Sequence, residues 1–541
     1  MPNALTKRRS GWPLAGLLVV FGLQTTLVTG RAINWDEFFH YSQIHNLAAG
    51  TLSLPLQTLY TRAFRWVIDL PGSTIDHIVV IRWFMLACEV VTVAAIIGIA
   101  RRFASPAAAW LAALTWLSAG YVFQHGTSFR FDPPAAALLM SAAWIMLCRP
   151  LRISWIIANG LLLGIATVLT IKSVLYAPVF AGIAWLRWQE GNRTAPAAIR
   201  LAVIAVAAMA SAALVYWLHA RGLTGETGGA AKTTISGTGG KMFGLLDQPY
   251  WRHHLKGIAI APAVALLSLG FPFMLLRHAR PAAEKAALLG LVLPLSTLLY
   301  YHNTAPYFYV FMLAPVCAGL AIVIEPVIAR YGQRTLAIVL AALAVVVWMM
   351  EKPGVQTTQR QLIAIAEAAL PGRPAYIDAC AMLGRFPKAN LFMTPVGMAL
   401  YQQGAFPSMA SVMAERPVPV VLANDPILDR ALNGSGPVPE LLPNDLKALR
   451  GNYVHFWGPL WVAGKSVPQT GTFTIAVPGS YRVEGGTLTI DGVTVAAEQT
   501  VELARGEHRV ELAQAAPVRL VWSSAIMPKA PPPPAPYFVD F

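Results

Sequence analysis

Two adjacent carboxylates, Asp36 and Glu37, follow the first apolar run of the chain, and His40 comes four residues after Asp36. Carboxylates beside a lipid bilayer are costly unless something neutralises or uses them, so ionisable groups at this depth are candidates for function. A carboxylate can act as a general base towards a hydroxyl group. The alternative is that the two are solvated loop charges, and the surrounding sequence has to decide between these interpretations.

Further residues that could take part in catalysis or binding occur at the ends of later apolar runs. Arg130 and Asp132 come just before one run, and Lys172 follows the end of another. A fourth group is a corner rich in tyrosine, which contains Tyr300, Tyr301, His302, Asn303, Tyr307 and Tyr309. Taken singly, each group has an ordinary interpretation, because aromatic residues at helix ends form interfacial belts and a lone lysine there extends to the membrane surface.

The composition excludes a soluble protein. Of 541 residues, 56% are hydrophobic and 12% are charged, and the mean hydropathy is +0.54, which together predict a polytopic membrane protein. The net charge of +15 comes from Lys and Arg in short loops, so it reports membrane orientation and not a nucleic-acid partner. The four cysteines are scattered and predict neither a disulfide framework nor a metal site.

About eleven apolar runs of near-spanning length predict transmembrane helices. They are 12–30, 79–100, 106–125, 133–148, 153–171, 173–187, 198–219, 257–276, 286–301, 307–325 and 335–350. Five basic loops fall on one side if the N-terminus is cytoplasmic and the first run is retained. They are Arg101-Arg102, Arg149/Arg152, Arg187/Arg193/Arg200, Arg277/Arg280/Lys285 and Arg330/Arg334. The loops 31–78, 126–132, 220–256 and 301–306, and everything after 351, then lie outside. We therefore expect a multi-pass protein of a bacterial inner membrane with its C-terminal part in the periplasm.

Two of the outer loops have patterns of their own. From Leu56 to Leu70 the apolar residues recur at helical spacing, with Arg62 and Arg65 on the polar face, which predicts an amphipathic helix on the membrane surface. The loop 220–256 is rich in Gly, Ser and Thr at its centre and continues into an aromatic and basic cluster that includes Trp251 and Arg252. We interpret this loop as a flexible flap over a substrate, with a plain connector as the alternative.

Carboxylates and cations at one membrane depth suit a transfer reaction of a lipid-linked group. A lipid phosphate that leaves needs Lys or Arg to stabilise its charge, and an attacking hydroxyl needs a carboxylate base. A donor with a polyprenyl tail requires a site at the bilayer edge.

The order of these motifs resembles the GT-C superfamily of membrane glycosyltransferases, and most closely the group of protein O-mannosyltransferases and lipid A aminoarabinose transferases. The motifs are Asp-Glu after the first span, Arg-x-Asp before the fourth, a Gly-containing helix that ends in Leu-Thr-Ile-Lys, and the Tyr/His corner. The resemblance covers roughly residues 10–350. It implies inverting transfer of a sugar from a polyprenyl-phosphate donor on the non-cytoplasmic side, with Asp36 as the base or the group that orients the acceptor.

The candidate site residues divide into three predicted roles. The catalytic group comprises Asp36, Glu37 and Asp132. Residues expected to bind the donor phosphate are Lys172, Arg130, Arg62 and Arg65. Residues expected to contact the substrates are His40, Tyr41, Tyr301, His302, Tyr307, Trp251 and Arg252. No transition-metal site is predicted, although the carboxylates could hold Mg²⁺ or Mn²⁺.

The C-terminal part has the composition of a soluble domain. Residues 351–450 predict an α/β segment, and 451–525 predict a small β-sandwich from closely spaced strands. A Pro-rich tail, 526–541, is expected to pack little. This region departs from the mannosyltransferases, so the acceptor could be a glycolipid, a polysaccharide or a protein.

Arg82 and Glu89 lie in the second span, seven residues apart and therefore on one helix face. We expect a structural ion pair, either between them or with neighbours, in preference to a role in the site. Two other functions compete with the transferase. One is a transporter or flippase of a lipid-linked saccharide, against which the sequence shows no repeat of its spans. The other is a membrane-anchored binding protein, for which eleven spans are far more than tethering needs.

Overall fold

The computed structural model of the chain describes residues 11–223, 244, 249–277, 279–434, 436–513 and 517–539. Each of the eleven apolar runs contains helix. The helices before residue 351 are α1 (Gly11–Gly30), α2 (Trp35–Ala48), α3 (Tyr60–Ala63), α4 (Thr74–Ala100), α5 (Pro106–Leu117), α6 (Gly120–His125), α7 (Asp132–Cys148), α8 (Ile153–Leu169), α9 (Ala177–Glu190), α10 (Ala195–Ala220), α11 (Trp251–Ile260), α12 (Pro262–Arg277), α13 (Ala282–Val292), α14 (Phe308–Tyr331) and α15 (Gln333–Met349). Three 3₁₀ helices cover Arg65–Asp69, Ile171–Tyr176 and Leu293–Leu299.

The chain is a multi-pass membrane protein, as predicted. Five helical stretches are long and apolar enough to cross a bilayer alone: α1, α4, α10, α14 and the continuous stretch Ala282–Leu299. The helices α11 and α12 together form a sixth candidate that is bent by 93°, and α5, α7, α8 and α15 are shorter apolar helices. A 17-residue helix is about 26 Å long, slightly less than the ~30 Å hydrocarbon core. The exact number of spans stays a prediction. We call the end of the bundle where α1 ends and α4 begins the site face.

The helix α14 occupies the centre of the bundle. Every side chain from Phe308 to Ile324 is buried, although a helix at a protein surface would bury only one stripe. This helix begins at the site face, directly after the tyrosine-rich corner. The corner is therefore attached to the most enclosed element of the bundle.

Glycines in α8 explain how a short helix is held in place. A β-carbon on Gly160 would come within 2.5 Å of the Ala207 side chain, and one on Gly164 would come within 2.5 Å of Ser211. Close backbone approach through small residues is the usual way in which membrane helices pack. Gly160 and Gly164, which belong to the motif of the Gly-containing helix, thus pack α8 against α10 and hold its end in place.

The helix predicted from Leu56 to Leu70 is shorter than expected. It consists of α3 and the 3₁₀ helix Arg65–Asp69, separated at Phe64. Phe64 packs inward, since its ring meets the rings of Phe84 and Phe129 at 5.2 and 5.5 Å, whereas Ala63 and Leu70 are exposed. The position of this segment on the membrane surface stays a prediction.

The C-terminal part contains helices and two sheets. Its helices are α16 (Val355–Ala369), α17 (Pro395–Gln402), α18 (Met409–Glu415), α19 (Pro426–Asn433) and α20 (Pro443–Asn452). Its strands are β1 (Tyr376–Ile377), β2 (Val420–Leu422), β3 (Tyr453–Trp457), β4 (Leu460–Val467), β5 (Gly471–Ile475), β6 (Gly479–Glu484), β7 (Leu488–Ile490), β8 (Val493–Val495), β9 (Thr500–Leu503), β10 (Gly506–Leu512) and β11 (Val518–Trp522).

One sheet joins the two predicted C-terminal segments. Its order is β1-β2-β4-β11-β6-β9, with β3 also paired to β4, and the second sheet has the order β5-β10-β7-β8. The strands β1 and β2 are parallel, and the other pairs are antiparallel. The long strand β4 pairs with β2 near its start and with β11 near its end. The expected boundary at residue 450 therefore does not separate two independent sheets.

Two expectations about loops have different outcomes. The described part of the Pro-rich tail packs against the protein: the Phe538 ring meets the Phe38 ring of α2 at 6.2 Å. The expectation of a tail that packs little is thus wrong for this residue, because its aromatic side chain has an apolar surface to cover. The predicted flap falls mostly on residues 224–243 and 245–248, which lie outside the described residues.

Candidate active site

The helix α2 directs the two adjacent carboxylates to different places. Asp36 and His40 share one face of α2, and Glu37 and Tyr41 share another, because residues four apart are neighbours on a helix. Asn34 caps α2: its Oδ1 accepts the Asp36 N–H at 2.9 Å, and Glu37 Oε2 accepts the Asn34 N–H at 2.9 Å. This local capping starts the helix a few residues after α1 and fixes both carboxylates.

Four buried charged side chains form a continuous series of ion pairs, which we call the charged quartet: Asp36, Arg130, Asp132 and Lys172. Arg130 Nη1 contacts Asp36 Oδ2, and Arg130 Nε lies 3.3 Å from Asp132 Oδ2. Lys172 Nζ donates to Asp132 Oδ1 at 2.9 Å. The exposed fraction of these side chains is 12% or less. The two positive and two negative charges balance, which is what permits their burial.

Helix ends bring the quartet together. Asp132 is the first residue of α7, where a negative charge is favoured and where Pro133 fits the first turn. Lys172 lies in the 3₁₀ helix that follows α8, and the Thr170 side chain accepts the Lys172 N–H at 3.3 Å. The sequence placed both residues at the same membrane face, and the structure brings them into direct contact.

The two cations of the quartet keep hydrogen-bond donors after these contacts. A guanidinium has five N–H donors and an ammonium has three, of which the quartet uses two and one. Arg130 lies with Cζ 3.3 Å from the centre of the Tyr307 ring, and Lys172 Nζ lies 4.9 Å from the centre of the Phe131 ring. Cations with spare donors, held against aromatic rings, suit an anionic ligand such as a phosphate.

The Glu37 carboxylate is fully buried, and both of its oxygens accept hydrogen bonds. Arg82 Nη2 lies 2.6 Å from Glu37 Oε2, and the Phe129 N–H donates to Oε1 at 2.7 Å. Burial alone would raise the pKa of Glu37, but the Arg82 charge and these hydrogen bonds hold the pKa below its usual value. The predicted ion pair of Arg82 thus forms with Glu37, whereas Glu89 Oε1 accepts a hydrogen bond from Gln24 at 3.2 Å.

His40 lies beside the quartet as a neutral ring. Its Nδ1 is 2.9 Å from the Tyr60 hydroxyl, and Nε2 is buried with no hydrogen-bond partner among the described residues. Burial lowers the pKa of His40 to about 4, against an ordinary value of 6.5. The ring also meets the Phe131 ring at 5.6 Å, so it belongs to the same aromatic wall as the cations. Tyr60 is a site neighbour that the sequence did not single out.

The tyrosine-rich corner closes one side of the site. Tyr307 lies under Arg130 and donates its hydroxyl hydrogen to Asn303 Oδ1 at 3.1 Å. Tyr301 is buried, with its ring 5.1 Å from that of Phe308. His302 lies farther along the same loop and is half-buried.

Several predicted substrate or phosphate ligands have other partners. Arg62 Nε donates to His219 Nδ1 at 2.9 Å, so it binds the end of α10. Arg65 pairs with Asp69 in an exposed i,i+4 ion pair. The Tyr41 hydroxyl lies 2.7 Å from His77 Nδ1, on the face of α2 that Tyr41 shares with Glu37. Their roles in donor or substrate binding stay predictions.

The first turn of α11 carries the two predicted residues Trp251 and Arg252, whose side chains are exposed. A residue of the same helix that the sequence did not single out reaches the corner loop: His254 Nε2 lies 2.7 Å from Thr304 Oγ1. The repeated histidines at 253–254 were the only signal for this contact.

Cationic side chains contact the carboxylates of the quartet in this arrangement. The part of the chain that the structure describes contains no group of three or more His, Cys, Asp and Glu side chains that could hold a metal ion. Arg130 contacts Asp36, and Lys172 contacts Asp132. A divalent cation stays an expectation from the sequence.

No family model matches the sequence, and no curated protein sequence matches it. Solved structures do resemble the fold. ArnT from Cupriavidus metallidurans bound to undecaprenyl phosphate is similar with a TM-score of 0.54 and 13% identity, over 79% of this chain and 95% of ArnT. The Archaeoglobus fulgidus oligosaccharyltransferase in complex with Zn and sulfate is similar with a TM-score of 0.52 and 11% identity, over 93% of this chain and 96% of that protein.

Both of these proteins are GT-C glycosyltransferases. At such low identities the likeness concerns the fold, which spans the membrane bundle and much of the C-terminal part. The GT-C fold expected from the order of the motifs is therefore confirmed.

Proposed function

We propose that this chain is an inverting glycosyltransferase that moves a sugar from a polyprenyl-phosphate donor to an acceptor hydroxyl group. The charged quartet carries the proposal, because it joins a carboxylate that can take a proton to two cations that can hold a phosphate. It lies at one face of a bundle with the GT-C fold. ArnT, which shares this fold, binds undecaprenyl phosphate in its solved structure.

Asp36 is the carboxylate that we assign as the base. Glu37 is completely buried and has four hydrogen bonds, whereas Asp36 keeps some exposure and has one ion-pair partner. In the proposed step the acceptor oxygen attacks the anomeric carbon while Asp36 takes the hydroxyl proton. The bond from that carbon to the phosphate oxygen breaks, and its electron pair leaves with the polyprenyl phosphate. Attack opposite the leaving group inverts the anomeric centre.

Arg130 links donor binding to the availability of Asp36. In the structure its guanidinium contacts the Asp36 carboxylate. A donor phosphate would draw Arg130 away from this contact. The Asp36 carboxylate would then be open to the acceptor hydroxyl when the donor is bound.

Lys172 and Asp132 have different proposed roles. Lys172 has two N–H donors beyond its bond to Asp132, and it would hold the departing phosphate together with Arg130. Asp132 is completely buried, and each of its oxygens contacts a cation. We therefore assign Asp132 to positioning both cations, in place of the catalytic role that the sequence predicted.

We also propose that the site face is periplasmic. The five basic loops lie at the opposite end of the bundle, where the positive-inside rule expects the cytoplasm. The C-terminal part follows α15 and therefore begins at the site face. An acceptor selected by that part would meet the site without crossing the membrane.

The test uses the full chain, purified in detergent. A panel of undecaprenyl-phosphate-linked pentoses and hexoses is incubated with glycolipid, polysaccharide and protein fractions of a bacterial envelope, and release of undecaprenyl phosphate is measured. We expect turnover of at least one donor. Asp36→Asn should lower it by roughly 10²–10⁴-fold, the range that a general base contributes.

Asp69→Asn is the matched control, because Asp69 is an exposed carboxylate of the same loop. It should keep wild-type turnover. Wild-type turnover in Asp36→Asn would show that the base is wrongly assigned. If a donor moves across the bilayer of vesicles and no member of the panel is turned over, the protein is a transporter and the proposed transferase function is wrong.

A further inference from the structure

The short segment between α1 and α2 is held by a helix from the C-terminal part of the chain. The Ile33 N–H donates to Gln359 Oε1 at 2.8 Å, and Gln359 Nε2 donates to the Ile33 carbonyl at 2.8 Å. Ile33 and Gln359 are both completely buried. One side-chain amide thus satisfies both backbone groups of a residue that lies three positions before Asp36.

The same amide is bound to the tail. Gln359 Nε2 also donates to the Tyr537 carbonyl at 2.8 Å, so its carbonyl oxygen and both of its N–H groups have partners. The next tail residue, Phe538, packs edge-on against Phe38 of α2. The tail therefore contacts α2, the helix that carries Asp36, directly through Phe538 and indirectly through Gln359.

Neighbouring contacts reinforce this arrangement. Gln356, one turn before Gln359, donates to the Arg31 carbonyl at 3.2 Å. The Arg31 side chain pairs with Glu351 at 3.0 Å, and Glu351 accepts a hydrogen bond from Gln124 at 2.8 Å. Gln356 and Gln359 thus bond the backbone from which α2 begins, and the Arg31–Glu351 pair ties the same segment to the start of the C-terminal part.

We infer that Gln359 is a positioning residue for Asp36, held in place by the backbone of the tail. This inference rests on the function proposed above. Asp36 contacts Arg130 only if α2 begins at the correct position along the bundle, because Arg130 belongs to a separate part of the chain. A displacement of about 1 Å at a reacting group can lower a rate by on the order of 10²-fold. The C-terminal part is then a component of the catalytic geometry as well as a candidate for acceptor selection.

Gln359→Leu tests the inference, since leucine has a similar size and makes none of the three hydrogen bonds. Hydrogen exchange in a peptide that covers residues 31–38 should become faster. Turnover of the panel's active donor should fall in kcat by roughly 10–100-fold. The Kd for undecaprenyl phosphate should stay within about twofold, because Arg130 and Lys172 are unchanged; a purely structural loss of folded protein would instead lower the amount of binding.

Gln361→Leu is the matched control, because Gln361 is an exposed residue of the same helix. It should leave both exchange and kcat at wild-type values. Phe538→Ala is a second, milder variant that loosens the tail, and it should change both quantities in the same direction.

The outcomes separate this inference from the proposed function. Faster exchange with wild-type kcat in Gln359→Leu, or unchanged exchange, overturns the positioning role even if Asp36→Asn is inactive. If Gln359→Leu does not fold and Phe538→Ala behaves as wild type, Gln359 serves folding alone and the inference is wrong. Wild-type turnover in Asp36→Asn would instead overturn the proposed function, and the exchange result would still report on the contact.

Discussion

Glu37 and Arg82 form a two-point ion pair, with Nε 2.8 Å from Oε1 and Nη2 2.6 Å from Oε2. The same guanidinium donates to the carbonyls of Arg31 and Ala32 at 2.8 and 2.9 Å. Arg82 lies in α4, so one side chain ties that helix to the end of α1 and to the start of α2. The pair explains why two adjacent carboxylates do not have equivalent roles: one fixes the backbone, and Asp36 faces the site.

Breaking this pair should lower the stability of the protein. Arg82→Met leaves the Glu37 carboxylate buried without a cation, and Glu37→Gln leaves the guanidinium without an anion. Each should lower the free energy of unfolding by about 3–5 kcal/mol. The double variant should lose less than the sum of the two, since neither charge is then left alone. Thermal unfolding in detergent measures all three.

Arg65→Met is the control for this prediction. Arg65 forms an exposed pair with Asp69, and such surface pairs contribute about 1 kcal/mol or less. Equal loss of stability in Arg82→Met and Arg65→Met would contradict the importance of the buried pair.

Lys172→Met should weaken binding of undecaprenyl phosphate. The substitution removes the ammonium and keeps an apolar side chain of similar length beside Phe131. A lost charge-assisted contact to phosphate should raise the Kd by roughly 10–100-fold, equivalent to about 1.5–3 kcal/mol. Titration of the detergent-purified protein with undecaprenyl phosphate measures the change.

Arg62→Met is the comparison for this binding assay, because the sequence predicted that Arg62 also contacts the phosphate. In the structure Arg62 donates to the carbonyls of His219 and Arg221 at 2.8 and 2.6 Å, at the end of α10. Its Kd should stay within about twofold of the wild-type value. A loss as large as that of Lys172→Met would restore the sequence assignment and contradict the geometry.

Acid should destabilise the protein through His40. The pKa of His40 is about 4 in the folded protein, below its ordinary value of 6.5. The unfolded chain therefore takes up the proton first, and stability is lost as the pH falls from about 6.5 to about 4, by about 3 kcal/mol in total. His40→Gln removes the titrating group, so its melting temperature should depend less on pH across this interval. Parallel slopes for the two proteins would show that His40 does not contribute.

Local patterns in the sequence decided the elements of this protein. Apolar runs predicted the positions of the membrane helices, and alternation with turns predicted the strands after Gly471. Both follow from short-range periodicity and from the cost of leaving backbone groups unpaired in lipid. The sequence also gathered Asp36, Arg130, Asp132 and Lys172 at one membrane face, since each ends or begins an apolar run.

The tertiary structure decided which charge meets which. Arg82 joins Glu37 across 45 residues, and Gln359 joins Ile33 across 326 residues. No local spacing encodes such pairs, because they depend on how whole helices pack. The same packing gave Arg62 its partners at the end of α10 and separated the two carboxylates that stood side by side in the sequence. Chemistry of a given type was therefore predictable from the residues, whereas the preference for Asp36 over Glu37, which the sequence supported only by resemblance, gained a physical reason from the partners that folding supplied.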